Sequence, residues 1–115
     1  MSNSPRVDEI SPPELKSLLE RGEVRLLDVR QPEEFDLVRL PGALLVPLDE
    51  LPERLDEIRE FFSDPKLKRV VYCRVGGRSA LAIAWLNECG VGGLYNLAGG
   101  IRLYAEVVEP TLPTY

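Results

Sequence analysis

The chain has 115 residues, 44% hydrophobic and 29% charged, which is the size and mix of one globular domain with a buried core. Its 14 Lys and Arg against 19 Asp and Glu leave a net charge of −5, which disfavours nucleic acid and anionic membranes as partners. With no histidine and only two cysteines, it excludes Ser-His-Asp triads, Cys-His dyads, His-ligated metals, four-thiolate metal sites and disulfide frameworks.

Residues 1–7 read as an N-terminal extension, and Met1 to Asp8 is too polar for a signal peptide, so a cytoplasmic protein is expected. Ser11-Pro12-Pro13-Glu14 is a capping box, with Ser11 as N-cap and proline at the first helical position. The helix it opens carries Leu15, Leu18 and Leu19 on one face and stops at Gly22. A buried strand runs from Val24 to Val29, followed by a short helix from Pro32 to Leu37. Pro41-Gly42 turns into a second strand, Ala43 to Val46. Leucines and aromatics at three- and four-residue spacing predict an amphipathic helix from Leu48 to Phe62 despite Pro52, with a solvated face that pairs Glu50 with Arg54. Arg69 to Tyr72 is a third strand, Ser79 to Cys89 a helix, Leu94 to Leu97 a fourth strand, and Gly99-Gly100 opens a last helix through Val108. Phe61, Trp85, Cys89 and Tyr95 are expected in the core.

Residues 8–108 thus form a single domain with a tail at 109–115. Strands alternating with helices imply βαβ units, hence a small doubly wound α/β domain with a mostly parallel sheet covered on both faces. Ligands of such a sheet sit beyond the carboxyl ends of its strands.

Cys73-Arg74-Val75-Gly76-Gly77-Arg78-Ser79 stands at that position, between a strand and a helix. A helix N-terminus presents unpaired N–H groups and partial positive charge, which suits a thiolate or a bound anion. Gly76 and Gly77 let the backbone curl its amides inward, and Arg74 and Arg78 add fixed charge at the loop mouth. The plain alternative is an inert Cys73 closing a buried strand, but it leaves the two arginines and two glycines without a packing purpose. The two cysteines lie at opposite ends of one helix, about 15–20 Å apart, beyond disulfide reach. A loop at the rim of so small a domain is expected to leave a group carried on Cys73 shallow.

The segment Cys73-Arg-Val-Gly-Gly-Arg78 resembles the active-site loop of rhodanese-like sulfurtransferases in its thiosulfate form, Cys-Arg-x-Gly-x-Arg. Leu27-Asp28-Val29-Arg30, Glu33-Glu34-Phe35, Leu40-Pro41-Gly42-Ala43 and Leu97-Ala98-Gly99-Gly100-Ile101 follow in the family's order, so the resemblance covers Asp8 to Val108. Val38-Arg39, where many members carry Gly-His, and Tyr104, in place of a common tryptophan, depart from the pattern outside the loop. The tail Glu109 to Tyr115 is similar to the end of rhodanese domains fused to enzymes that activate sulfur-carrier proteins.

The resemblance implies transfer of sulfane sulfur from a thiosulfate-like anion through a persulfide on Cys73 to a thiophilic acceptor, with no cofactor and no metal. It makes Cys73 the nucleophile and places Arg74, Val75, Gly76, Gly77, Arg78 and Ser79 around the substrate; Asp28 and Arg30, at the end of a central strand, are expected to support the loop through a structural ion pair or helix contact rather than to touch the substrate. A sulfur-carrier protein or its activating enzyme is the expected partner. A cysteine phosphatase or arsenate reductase is the enzymatic alternative, but its loop holds five residues between cysteine and arginine, whereas Cys73 and Arg78 enclose four. A non-catalytic binding module of the same fold is the other, and such modules commonly lack the cysteine or the arginines.

Overall fold

The computed structural model describes residues 7–115, so the N-terminal extension and the signal-peptide question lie almost wholly outside the described residues. Five parallel strands form one sheet: β1 (Glu9–Ile10), β2 (Val24–Asp28), β3 (Leu44–Leu45), β4 (Lys68–Tyr72) and β5 (Leu94–Leu97), in the order β1-β5-β4-β2-β3. The helices are α1 (Pro12–Arg21), α2 (Pro32–Leu37), α3 (Leu55–Phe61), α4 (Gly77–Glu88) and α5 (Gly100–Val108).

Alternation along β2 and β4 splits the core into two layers. Leu27, Val71 and Cys73 face Ile58, Phe62, Ala82, Ile83 and Leu86 of the α3–α4 side, while Leu26, Val70 and Tyr72 face Leu15, Ile101 and Tyr104 of the α1–α5 side. This is the doubly wound α/β domain expected from the sequence. Ser11 caps α1, with the Glu14 N–H on Ser11 Oγ at 3.3 Å, but the expected capping box is only half formed, because the Glu14 carboxylate accepts from the Ser11 hydroxyl at 3.0 Å and no bond from the Ser11 N–H to it is seen among the described residues; Glu23 N–H returns to the Leu18 carbonyl beyond Gly22.

Several expectations are corrected. Glu9–Ile10 adds an edge strand, paired with Asn96–Leu97, that is too short to leave an alternation in the sequence. The strands at 24–29 and 43–46 are shorter, ending at Asp28 and spanning Leu44–Leu45. The helix at 48–62 is broken into a 3-10 turn, Leu48–Glu50, and α3, because Pro52 has no N–H to donate and the chain turns before restarting. The Glu50–Arg54 pair survives at 3.4 Å, joined by Glu57 at 2.8 Å from Arg54. The α4 helix starts two residues early, at Gly77. Cys89 is only half-buried, since it caps α4 at the domain's edge, and Phe61, Trp85 and Tyr95 are half-buried too.

Sheet order places the site. The β2–α2–β3 connection runs towards one edge and the β4–α4–β5 connection towards the other, so the loops after β2 and β4 part and leave a crevice between them. Residues 29–31 line one side of it and residues 73–76 the other.

Candidate active site

Cys73 follows the last residue of β4 and is itself buried, 1% exposed. The chain then makes one tight curl into α4. Gly76 makes it at φ +115°, a backbone conformation that a side chain disfavours, and the Gly76 N–H points back to Cys73 Sγ at 3.1 Å. The Ser79 N–H, in the first turn of α4, reaches the same sulfur at 3.4 Å. Two amides at a helix N-terminus thus converge on one sulfur, the arrangement that stabilises negative charge there.

The carbonyls of the loop are turned the other way. Ile101 N–H holds the Cys73 carbonyl at 3.0 Å, and Arg102 N–H holds that of Arg74 at 3.1 Å. The start of α5 therefore clamps the outer side of the loop. It comes this close because Gly100, at φ +65°, has no Cβ; one built there would lie 2.2 Å from the Arg74 carbonyl oxygen.

Asn96 on β5 completes the inner wall. Its Nδ2 donates to the Gly76 carbonyl at 3.1 Å, which leaves Oδ1 to accept the Ser79 hydroxyl at 2.6 Å. With its hydrogen committed to Asn96, Ser79 Oγ accepts from the Cys73 thiol at 3.3 Å. Sequence reading missed Asn96. An asparagine within the apolar strand Leu94–Leu97 was the available signal, because asparagine is depleted from strands and costly to bury unpaired.

Asp28 and Arg30 sit across the crevice, both fully buried, as an ion pair with Nη2–Oδ2 at 2.7 Å and Nε–Oδ1 at 3.0 Å. Arg30 also donates to the carbonyls of Val38 at 2.6 Å and Glu34 at 3.3 Å and to Tyr115 Oη at 2.8 Å. Burial works against its charge, but the bonds to Asp28 and Tyr115 outweigh it and raise its pKa above the ordinary arginine value. Burial likewise pushes the Tyr72 hydroxyl far up, helped by the Asp28 carboxylate. The pair braces the loop after β2; it makes no contact with Cys73 among the described hydrogen bonds.

The two loop arginines have packing partners, contrary to expectation. Arg78 makes a two-pronged pair with Glu34, at 2.6 and 2.9 Å. That hydrogen bonding, against the cost of burial and with the Gln31 N–H and Tyr115 hydroxyl assisting, holds the Glu34 carboxyl down at about 2. Arg74 lies over the Tyr115 ring, 4.9 Å from guanidinium carbon to centroid, and its Nη2 donates to the Tyr115 main-chain oxygen. The tail therefore packs on the domain, Leu112 and Tyr115 lying against the α1–α5 core layer. Val75 projects its side chain freely from the loop, 54% exposed.

Among the described residues no cluster of His, Cys, Asp or Glu is arranged to hold a metal ion, and no helix is long and apolar enough to cross a membrane.

A family profile described as rhodanese-like domain matches residues 11–106. The chain is 40% identical to a sulfurtransferase of Allochromatium vinosum over 102 residues, covering 87% of this chain and 90% of that protein. It is 33% identical to the adenylyltransferase and sulfurtransferase MOCS3 of Arabidopsis thaliana, covering 96% of this chain and 26% of that protein. The chain thus spans less than a third of the length of its larger relatives. In structure it is similar to the human single-domain sulfurtransferase TSTD1, with a TM-score of 0.71 and 34% identity over 89% of this chain and 98% of that one.

Proposed function

We propose that this chain, which belongs to the rhodanese-like domain family, is a sulfurtransferase that carries sulfane sulfur on Cys73. The observation that carries the reading is the convergence of the Gly76 and Ser79 N–H groups on Cys73 Sγ at the start of α4. Such donors stabilise the sulfur as an anionic nucleophile and again as the leaving group of the return step.

The donor is a thiosulfate-like anion. Cys73, having lost its thiol proton to solvent, attacks the outer sulfur of thiosulfate; the donor's S–S bond breaks and sulfite leaves with the electron pair. The resulting Cys73 persulfide is attacked at its outer sulfur by a thiophilic acceptor, and the Cys73 sulfur departs with the bonding pair. The backbone N–H groups of Arg74, Val75, Gly76, Gly77, Arg78 and Ser79 ring the transferred atom, while Asp28 and Arg30 hold the facing loop. No metal or organic cofactor takes part. The alternative loop of a cysteine phosphatase is longer by one residue and is not favoured.

The acceptor is a protein, a sulfur carrier or its activating enzyme. The resemblance of the tail supports this, and so does the exposed rim at Val75 and, in the second turn of α4, Leu81 at 63% exposure. Turnover of thiosulfate with cyanide as acceptor tests the chemistry: Cys73→Ser should abolish it, and more than a few per cent of residual activity would remove Cys73 as nucleophile. Incubation of the persulfidated protein with candidate carriers tests the partner. Thiocarboxylate at a carrier's C-terminus is expected; rapid discharge by small thiols with no carrier reacting would overturn it.

A further inference from the structure

Five cations gather at the end of the sheet where the strands begin, opposite the end that holds Cys73. Arg25 lies near the start of β2, Lys68 and Arg69 open β4, Lys66 precedes them, and Arg59 is in the last turn of α3. Among the described residues none of the five forms an ion pair, although the chain carries 19 carboxylates. Asp64, close by in the chain, spends its Oδ1 on the Lys66 main-chain N–H at 2.9 Å. Arg25 and Arg69 stand side by side in the parallel register of β2 and β4, on the same face of the sheet, where like charges repel.

These side chains are held in place. Arg69 Nη1 donates to the Gly92 carbonyl at 2.8 Å and Arg59 Nη2 to that of Cys89 at 2.8 Å, and each guanidinium keeps N–H groups without a partner among the described residues. Arg25 lies over the Phe61 ring at 5.4 Å, Arg69 over Phe62 at 5.9 Å and Lys68 over Tyr95 at 4.2 Å. Two open clefts flank Arg69. One, of about 460 Å³, is lined by Lys66, Lys68, Tyr95 and the stretch Gly92-Gly93, which presents no side chain; the other, of about 220 Å³, lies between Arg59 and Arg69.

We propose that this end of the domain is a docking surface for a short acidic segment of a partner protein. Unpaired cations on pre-ordered stems match carboxylates spaced along a chain. From β2 across β4 to the turn before β5 is two strand spacings, about 10 Å, or about three extended residues; the long stems of the cations widen this to a segment of about four to six. A nucleic acid fits less well, because the three rings on which bases would stack are already covered by Arg25, Arg69 and Lys68. Beyond these five cations the chain keeps nine against 19 carboxylates, which repels a polyanion that runs past the end of the sheet. A partner docked here leaves the opposite end, with Cys73, open, and the docking does not depend on what Cys73 does.

The test is a titration of the full isotope-labelled chain with end-blocked hexaglutamate at low salt, followed by its amide NMR shifts. Shifts are expected at Arg25, Lys66, Lys68, Arg69, Gly92 and Gly93, and none from Gly76 to Ser79. Arg25→Gln, Lys68→Gln and Arg69→Gln together should weaken binding about tenfold, the worth of three surface ion pairs. The exposed pair Arg25→Gln and Lys66→Gln is the milder variant, with an expected loss of about threefold. Arg21→Gln, Arg39→Gln and Arg102→Gln together, which change the net charge as much as the first set, should weaken it less than about twofold. Absence of shifts at these amides with millimolar peptide, equal weakening by the two triple variants, or tighter binding of hexathymidylate would overturn the proposal. Shifts at the same amides on concentrating the chain alone would overturn it too, by making a second copy the occupant.

Discussion

Gly100→Ala tests the way the loop around Cys73 is held. The new Cβ would stand 2.2 Å from the Arg74 carbonyl oxygen, 2.4 Å from its carbon and 2.6 Å from the Val75 nitrogen, all backbone atoms that cannot rotate away. The residue would also sit at φ +65°, which costs a non-glycine residue roughly 1–2 kcal/mol. Relieving the contact needs the loop and α5 to part by about 1 Å, enough to break the bonds from Ile101 N–H to Cys73 and from Arg102 N–H to Arg74, each contributing about 1 kcal/mol. The expected loss is about 3–4 kcal/mol, or roughly 12–16 °C in Tm for a domain of this size. Gly77→Ala is the matched control: its Cβ would meet nothing within 4 Å and its φ is not in the left-handed range, so it should be neutral or stabilising by about 0.5 kcal/mol. Guanidinium denaturation of the two variants gives both values, and sulfur uptake by the folded Gly100→Ala protein should be slowed as well. A Gly100→Ala loss below about 1 kcal/mol would mean that the α5 clamp does not hold the loop.

Asp28→Asn leaves the Arg30 guanidinium buried beside a neutral amide and should cost about 3–5 kcal/mol in denaturant unfolding. Asn96→Ala should cost about 1–3 kcal/mol and slow sulfur uptake, since the Ser79 hydroxyl and the Gly76 carbonyl lose their shared partner; full-rate uptake would show that Asn96 does not position the loop. The Glu34 carboxyl lies at about 2 in the folded protein, below its ordinary 4.5, so its pairing contributes fully above about pH 4.5 and is lost as the pH falls towards 2. The stability gap between the unmodified protein and Glu34→Gln should accordingly close over that window, from at most about 3 kcal/mol; a gap that stays constant down to pH 2 would contradict the pairing.

The layered α/β fold was legible because β2, β4, α1 and α5 each carry their own periodicity or caps, and the loop at 73–79 because a cysteine, glycines and arginines coincide at a strand–helix junction. Asp28 and Arg30 were readable as a pair from their adjacency at a strand end, and the structure buries them as one. What escaped had no local signature. The two residues of β1 gain their strand only from β5. The Arg78–Glu34 pair joins positions 44 apart and the Arg74–Tyr115 contact positions 41 apart, so the occupation of both arginines depends on tertiary packing that local patterning does not encode. Local chemistry placed the arginines at the loop mouth; only the fold brought Glu34 and Tyr115 to them.

The central claim is that Cys73, gathered by the Gly76 and Ser79 amides, is the atom that carries sulfur. Its most direct test is the mass of the intact protein after incubation with thiosulfate and removal of the donor, followed by peptide mapping. The account predicts a gain of one sulfur atom on the peptide that contains Cys73, none on the peptide that contains the half-buried Cys89, and reversal by cyanide. An unchanged mass, sulfur found on Cys89, or the same gain in Cys73→Ser would contradict it.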